Sequence, residues 1–232
     1  MPQKTLDYIN SKVIDACDGL DGIHDDVLEN PLDCKFDIST LACDSSQNST
    51  ECLTSDQIKA YHLIRNGPHN ARTNQPIYPG FVHGSEVSWD VQQGELSKSY
   101  GQPLLKNMLS ANLSFDPMMF NWDSDIALTD RKISPLIDSM GTNLTAFKSR
   151  GGKLLVSQGW ADPYNAQTLQ IVHLSQVAKD TGAKRGLVGT LRDTRFALEF
   201  LYYISPELIE ISVTRGRTLW RERKLSPGAV RT

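Results

Sequence analysis

At 232 residues, with 39% apolar and 22% charged, the chain is long enough for one or two domains with a buried core, and its composition excludes a disordered polymer. A net charge of −3 argues against a general affinity for nucleic acid. No run approaches 18 apolar residues, so no membrane-spanning helix is expected, and the first twenty residues lack the apolar stretch of a signal peptide.

Residues 5–16 read as a helix, with Leu6, Ile9, Val13 and Ala16 near one face. It delivers Cys17 and an acidic stretch, residues 15–27, with five aspartates in thirteen residues. Asp18, Asp21 and Asp25 have helical spacing. Gly19 and Gly22 would each cost about 1 kcal/mol in a helix interior, so a loop is expected. Three neighbouring carboxylates repel one another, and a hard cation such as Ca²⁺, which prefers carboxylate and backbone oxygens, removes the repulsion. The spacing is not that of an EF-hand. A solvated acidic turn is the alternative.

Residues 28–53 are rich in turn formers. All four cysteines (Cys17, Cys34, Cys43, Cys52) fall within 36 residues, and sequons begin at Asn48, Asn112 and Asn143. Together they suggest disulfides in a secreted glycoprotein. The spacings of 17, 9 and 9 contain no Cys-x-x-Cys, which argues against zinc. Four cysteines allow three pairings. Secreted chemistry without a signal peptide leads us to expect that a longer protein precedes this chain.

Thr54-Ser55-Asp56-Gln57 is a capping box opening a helix with Ile58, Tyr61 and Ile64 as its buried stripe, closed by Asn66-Gly67-Pro68. Residues 68–103 read as a long ordered loop whose aromatics (Tyr78, Phe81, Trp89, Tyr100) either face a substrate or, the favoured alternative, anchor the loop to a core. Residues 104–126, rich in Met, Leu and Phe, read as core. A short helix at 144–150 is broken by Gly151 and Gly152. Residues 153–157 are an apolar run expected of a buried parallel strand. Gln158-Gly159-Trp160-Ala161-Asp162-Pro163 is the loop at its carboxyl end, where open α/β sheets gather their chemistry. A helix over 165–180 follows, with Leu169, Val172, Gln176 and Val177 on one side.

After about residue 183 the character changes. Residues 184–232 carry ten Lys or Arg against five Asp or Glu, whereas the first 183 carry a net −8. An altered reading frame or a mis-joined exon is the expectation here, a basic tail for an acidic partner the alternative. Residues 194–204 read as a helix.

Cys17-Asp18-Gly19-Leu20-Asp21-Gly22-Ile23 with Asp25 resembles the calcium loop in the lid domain of tannases and feruloyl esterases. Further pieces resemble that family in its order: Cys34-Lys35-Phe36-Asp37, Cys52-Leu53-Thr54, Tyr78-Pro79-Gly80, Gly84-Ser85-Glu86 with Trp89, and Gly151-Gly152-Lys153-Leu154 running into Gly159-Trp160-Ala161-Asp162-Pro163. Each piece is weak alone, and the ordered set is specific. The resemblance implies a partial α/β-hydrolase fold with an inserted, disulfide- and Ca-stabilised α+β lid domain. The lid would span 1–140, a piece of the catalytic domain 141–183, and a divergent basic tail 184–232. It also implies pairings Cys17–Cys34 and Cys43–Cys52. Calcium would be held by the carboxylates of Asp18, Asp21 and Asp25 and the backbone carbonyls of Ile23 and Val27, with positions 21, 23, 25 and 27 of an extended loop turning toward one point.

By the same resemblance, Asp162 is the acid of a Ser-His-Asp triad that hydrolyses esters of phenolic acids; charge and hydropathy add the expectation of neither a nucleic acid nor a membrane as partner. Helix capping after Pro163 is the alternative for Asp162. Gln158 departs from the family, which often has His there. A serine esterase needs a nucleophile, a base and an oxyanion hole as well. No Gly-x-Ser-x-Gly elbow and no His-Cys pair occur in the chain. Of the five histidines, His24, His62, His69, His83 and His173, only His173 follows Asp162, and it falls on a helix where the family has no base. The chain alone is therefore expected to be inactive. A non-catalytic, calcium-stabilised secreted binding module is the alternative function.

Overall fold

The computed structural model describes residues 1–44, 52–156 and 158–182, and beyond them the backbone of four strands. Helix α1 (Gln3–Cys17) buries Leu6, Ile9, Val13 and Cys17 on one stripe. Ala16, expected on that face, is exposed. The stripe packs on the 3₁₀ turn Glu86–Ser88, and Gln3 Nε2 donates to the Val87 carbonyl at 3.0 Å. Helix α2 (Ser55–Asn66) opens with a reciprocal cap: the Thr54 hydroxyl accepts from Gln57 N at 3.3 Å, and Gln57 Oε1 accepts from Thr54 N at 2.8 Å. It closes on Gly67 at φ +70°, where a Cβ would strike the Tyr78 carbonyl, so only glycine lets the chain turn back along the helix.

These two helices enclose the main core: Leu6, Ile9, Val13, Cys17, Leu28, Cys34, Ile38, Leu53, Tyr61, Phe81 and Trp89. Cys17 is bonded to Cys34 and Cys43 to Cys52, across 17 and 9 residues. Between the bridges, Leu53 N donates to Leu41 O and Cys43 N to Leu53 O, so the irregular backbone still satisfies its polar groups.

The expected loop over 68–103 extends only to Ser85. From Glu86 the chain winds through π-helical segments Val91–Gly101 and Leu104–Leu109. Gly94, Gly101 and Pro103, which signalled a loop, all lie inside this winding, Pro103 with helical dihedrals at the junction of its two π-helical segments. The expected core at 104–126 is also corrected. Leu109 is buried, but Met118 is 88% and Met119 73% exposed. Both lie on one 3₁₀ turn, Pro117–Met119, capped by Asp116, and a single turn cannot hide successive side chains. Helices α3 (Ser124–Lys132), α4 (Ser134–Ile137) and α5 (Thr145–Ser149) complete this part. Arg72 and Asn70 grip the Asp123 carboxylate ahead of α3, Arg72 through Nε at 2.7 Å.

Strand β1 (Leu154–Val156) pairs antiparallel with β3 (Phe196–Ile204), which pairs antiparallel with β2 (Val188–Asp193), in the order β1-β3-β2. The expected parallel pairing of 153–157 is thus corrected. β1 and β2 do point the same way around helix α6 (Leu169–Thr181), but β3, folded back from β2, lies between them. The expected helix at 194–204 is a strand instead, consistent with its Phe, Leu, Tyr and Ile content. A second hairpin joins β4 (Val213–Thr214) to β5 (Arg217–Thr218). Helix α6 starts four residues later than expected and ends at Gly182 in the left-handed region. It buries Leu174, Val177 and Ala178, while Val172, assigned to the inner side, is 56% exposed. Among the described residues no helix is long and apolar enough to cross a membrane.

Candidate functional site

Two places collect the chemistry. The first is the acidic stretch after α1. A 3₁₀ turn, Asp18–Asp21, ends on Gly22 at φ +86°. Asp18 is buried, and its Oδ1 accepts from the N–H groups of Asp25 and Val27, both at 3.2 Å. His24 Nδ1 stands 3.4 Å from Asp18 Oδ2, its ring stacked so closely over Gly19 that no Cβ would fit there. Asp21 Oδ1 accepts from Ile23 N at 2.8 Å, and its Oδ2 is buried with no hydrogen-bond partner. Glu29 stands close by, and burial, with the Asp21 carboxylate second, pushes its carboxyl up. Asp18, Asp21, Glu29 and Asp33 line one cleft of about 410 Å³.

Two of the expected carboxylate ligands lie together: Asp18 and Asp21 share the cleft. Ile23 and Val27, expected to contribute backbone carbonyls, each have 41% of their surface exposed, which leaves their side chains out of the cleft and does not bear on those carbonyls. Among the described residues no three Asp, Glu, His or Cys side chains stand close enough to share a metal ion. The donor set nonetheless suits a hard cation: an orphaned buried carboxylate oxygen beside a second carboxyl is a charge arrangement that a divalent ion would relieve. Glu29 and Asp33 were not anticipated, although an acidic residue two and six positions past Val27 was visible.

The second place is the loop after β1. Asp162 Oδ1 accepts from Tyr164 N at 2.7 Å and Asn165 N at 3.1 Å. Its Oδ2 accepts from Gln158 Nε2 at 2.6 Å and Asn165 Nδ2 at 3.5 Å. Burial works to raise this carboxyl, but the Tyr164 and Asn165 N–H groups and the two side-chain amides outweigh it and hold it below the usual carboxylate range. Among the described residues no serine or histidine donates to it. His173 lies half-buried on α6.

The loop is fastened to the 78–85 segment. Tyr78 Oη accepts from Ala166 N at 3.1 Å. Gln167, fully buried, accepts from Val82 N at 3.1 Å and donates to the Asp162 carbonyl at 2.9 Å. Val82, Trp160 and Ile171 pack together beside it. Behind this segment, Tyr61 Oη meets His83 Nδ1 at 2.8 Å and Glu86 Oε1 at 3.4 Å, all three nearly inaccessible. Burial, reinforced by Glu86, drives the Tyr61 hydroxyl far up. Arg65 donates to the Phe81 carbonyl, its guanidinium lowered by burial. Of the loop aromatics, Phe81 and Trp89 are anchors, and Tyr100 is 71% exposed. Tyr61 lies on the predicted stripe of α2 and Glu86 in the Gly84-Ser85-Glu86 motif, whereas Gln167 and His83 carry no sequence signal beyond their residue type. Asn112 and Asn143 are exposed, each Oδ1 accepting from the N–H two residues on, at 2.9 and 3.2 Å. Asn48 lies outside the described residues.

The model of the family "Tannase and feruloyl esterase" matches residues 1–185, and the chain belongs to that family. It is 31% identical over 177 residues to an uncharacterized esterase of Xanthomonas campestris, covering 68% of this chain and 30% of that protein. It is 28% identical over 177 residues to feruloyl esterase C of Talaromyces stipitatus, covering 75% and 33%. The crystal structure of feruloyl esterase B from Aspergillus oryzae superposes with a TM-score of 0.69 at 21% identity, covering 79% of this chain and 37% of that one, and so shares its fold over that region. The chain therefore spans about a third of the length of the curated relatives it matches. The family match ends close to where the charge changes sign.

Proposed function

We propose that the chain is the lid-bearing part of a secreted carboxylic ester hydrolase that cleaves esters of phenolic acids, such as feruloyl or galloyl esters, through an acyl-serine. Residues 1–140 would form the lid, and Asp162 would orient the base histidine. The serine and histidine would come from sequence outside these 232 residues. The observation carrying this reading is the Asp162 carboxylate at the strand end, held ionised by four donors and buttressed by Gln167. A carboxylate that must hold an imidazole in one tautomer needs that fixity. Calcium, bound by Asp18, Asp21 and Asp25 with the carbonyls of Ile23 and Val27, would fix the turn after α1 and take no part in bond cleavage. Glycans on Asn112 and Asn143, and on Asn48, fit the same secretory origin.

The test is reassembly with the flanking gene segments. The 232-residue chain alone is expected to show no turnover of feruloyl, galloyl or aryl esters, and the reassembled enzyme to show it. Asp162→Asn in that enzyme should leave the fold intact and cut kcat by about 10⁴. Full activity would remove Asp162 from the triad. A second reading, a non-catalytic calcium-stabilised binding module, is favoured by one observation: the donors to Asp162 include no histidine. Absence of any turnover after reassembly would select it.

A further inference from the structure

We infer that Gln167 is a positioning residue that locks the Asp162 loop onto the disulfide-bearing core; the inference rests on the reading of Asp162 as the triad acid. An unbroken chain of hydrogen bonds joins the two. Trp89 Nε1 donates to Ser85 Oγ at 2.9 Å, and Ser85 Oγ donates to Val82 O at 2.7 Å. Val82 N donates to Gln167 Oε1, and Gln167 Nε2 donates to Asp162 O. Trp89, Ser85 and Gln167 are 0% exposed and Val82 3%. Trp89 itself belongs to the core around α1 and the Cys17–Cys34 bridge.

The chemistry calls for a glutamine. Glutamine is seldom buried completely, and it is tolerated here because both ends of the amide are used. One planar group must accept from Val82 and donate to Asp162, which only a carboxamide does at this reach. Glutamate keeps the length but cannot donate when ionised, and methionine keeps the volume but does neither. The contact spans 85 residues of sequence, so the loop cannot make it locally. Gln167 grips the backbone of Asp162, not the carboxylate. Its effect is to hold the turn in which the Tyr164 and Asn165 N–H groups meet Oδ1.

The test uses the full 232-residue chain and reads two things: backbone amide exchange, and the ¹³C carboxyl signal of Asp162 through a pH titration. In Gln167→Met, the Tyr164 and Asn165 amides should exchange at least tenfold faster, while Ile9 and Val13 in α1 keep their rates. The Asp162 carboxyl should titrate nearer the ordinary carboxylate range. Gln167→Glu, which keeps the length and the acceptor for Val82, should give the same local pattern and decides the matter if the methionine variant does not fold. Unchanged exchange at Tyr164 and Asn165, or equal acceleration at Ile9 and Val13, would overturn the inference, the latter by showing a merely structural role. Neither result touches the triad assignment, which stands or falls with Asp162→Asn in the reassembled enzyme.

Discussion

Removing the Cys17–Cys34 bridge by a double change to alanine should destabilise the chain more than removing Cys43–Cys52. The first closes a loop of 17 residues and the second one of 9. Chain entropy assigns about 3 kcal/mol to the first and about 2.5 kcal/mol to the second, because the cost grows only with the logarithm of loop length. Entropy alone therefore scarcely separates them. Burial does. Cys17 and Cys34 are 5% and 4% exposed within the main core, against Leu6, Ile9 and Val13, whereas of the second pair only Cys52 is buried. Each buried sulfur lost leaves a void worth about 1 kcal/mol, so the totals become about 5 and about 3.5 kcal/mol. Against the 5–15 kcal/mol typical of a folded domain, the first is a large share. Urea unfolding followed by tryptophan fluorescence reads this directly, since Trp89 sits in the same core. A loss below about 2 kcal/mol for the first pair, or a larger loss for the second, would refute the reasoning.

Tyr61→Phe keeps the ring against Trp89 but strands His83 Nδ1 and Glu86 Oε1 in the core, and should cost about 1–3 kcal/mol in the same urea assay. A variant as stable as the parent would mean that His83 and Glu86 satisfy each other. Calcium at a hundred times its Kd should add about 2.7 kcal/mol and raise Tm, with reversal by chelator and no response in Asp21→Asn; a Tm indifferent to chelator ends the metal proposal. Asp162, with its carboxyl held low when folded, contributes stability that is present above the ordinary aspartate value of 3.8 and is lost as pH falls through the lower folded value. Tm followed from pH 5 downward should therefore fall less steeply in Asp162→Asn than in the parent, and identical slopes would contradict the hydrogen-bond count.

The helices that could be read from sequence are those whose signals are local. The spacing of Leu6, Ile9 and Val13, and the Thr54–Gln57 cap with Gly67 behind it, depend on neighbours within a few turns, and α1 and α2 follow them. The family, too, was legible, because ordered short motifs survive low identity. Pairing partners were not. Nothing within Leu154–Val156 says that β3 will lie beside it, and a short apolar run fits either direction. The methionines at 118 and 119 misled because composition carries no information about how many residues a turn will span. Gln167 was invisible for a related reason: its importance comes from a contact with Val82 far away in sequence, not from any spacing of its own.

Capping and catalysis seemed rivals for Asp162 when only the sequence was considered. The geometry makes the two compatible, because the two oxygens of the carboxylate have different partners. Oδ1 is committed to the turn, taking the N–H groups of Tyr164 and Asn165 as a cap would. Among the described residues Oδ2 takes side-chain amides alone, a short one from Gln158 and a long one of 3.5 Å from Asn165. A bond of 3.5 Å is weak and easily exchanged. The place on Oδ2 that Asn165 fills is the one an imidazole N–H would take in the proposed triad, while Oδ1 and Gln158 kept the carboxylate still. In that proposal the cap would be the means by which one oxygen is held ready, and the same side chain would serve both purposes.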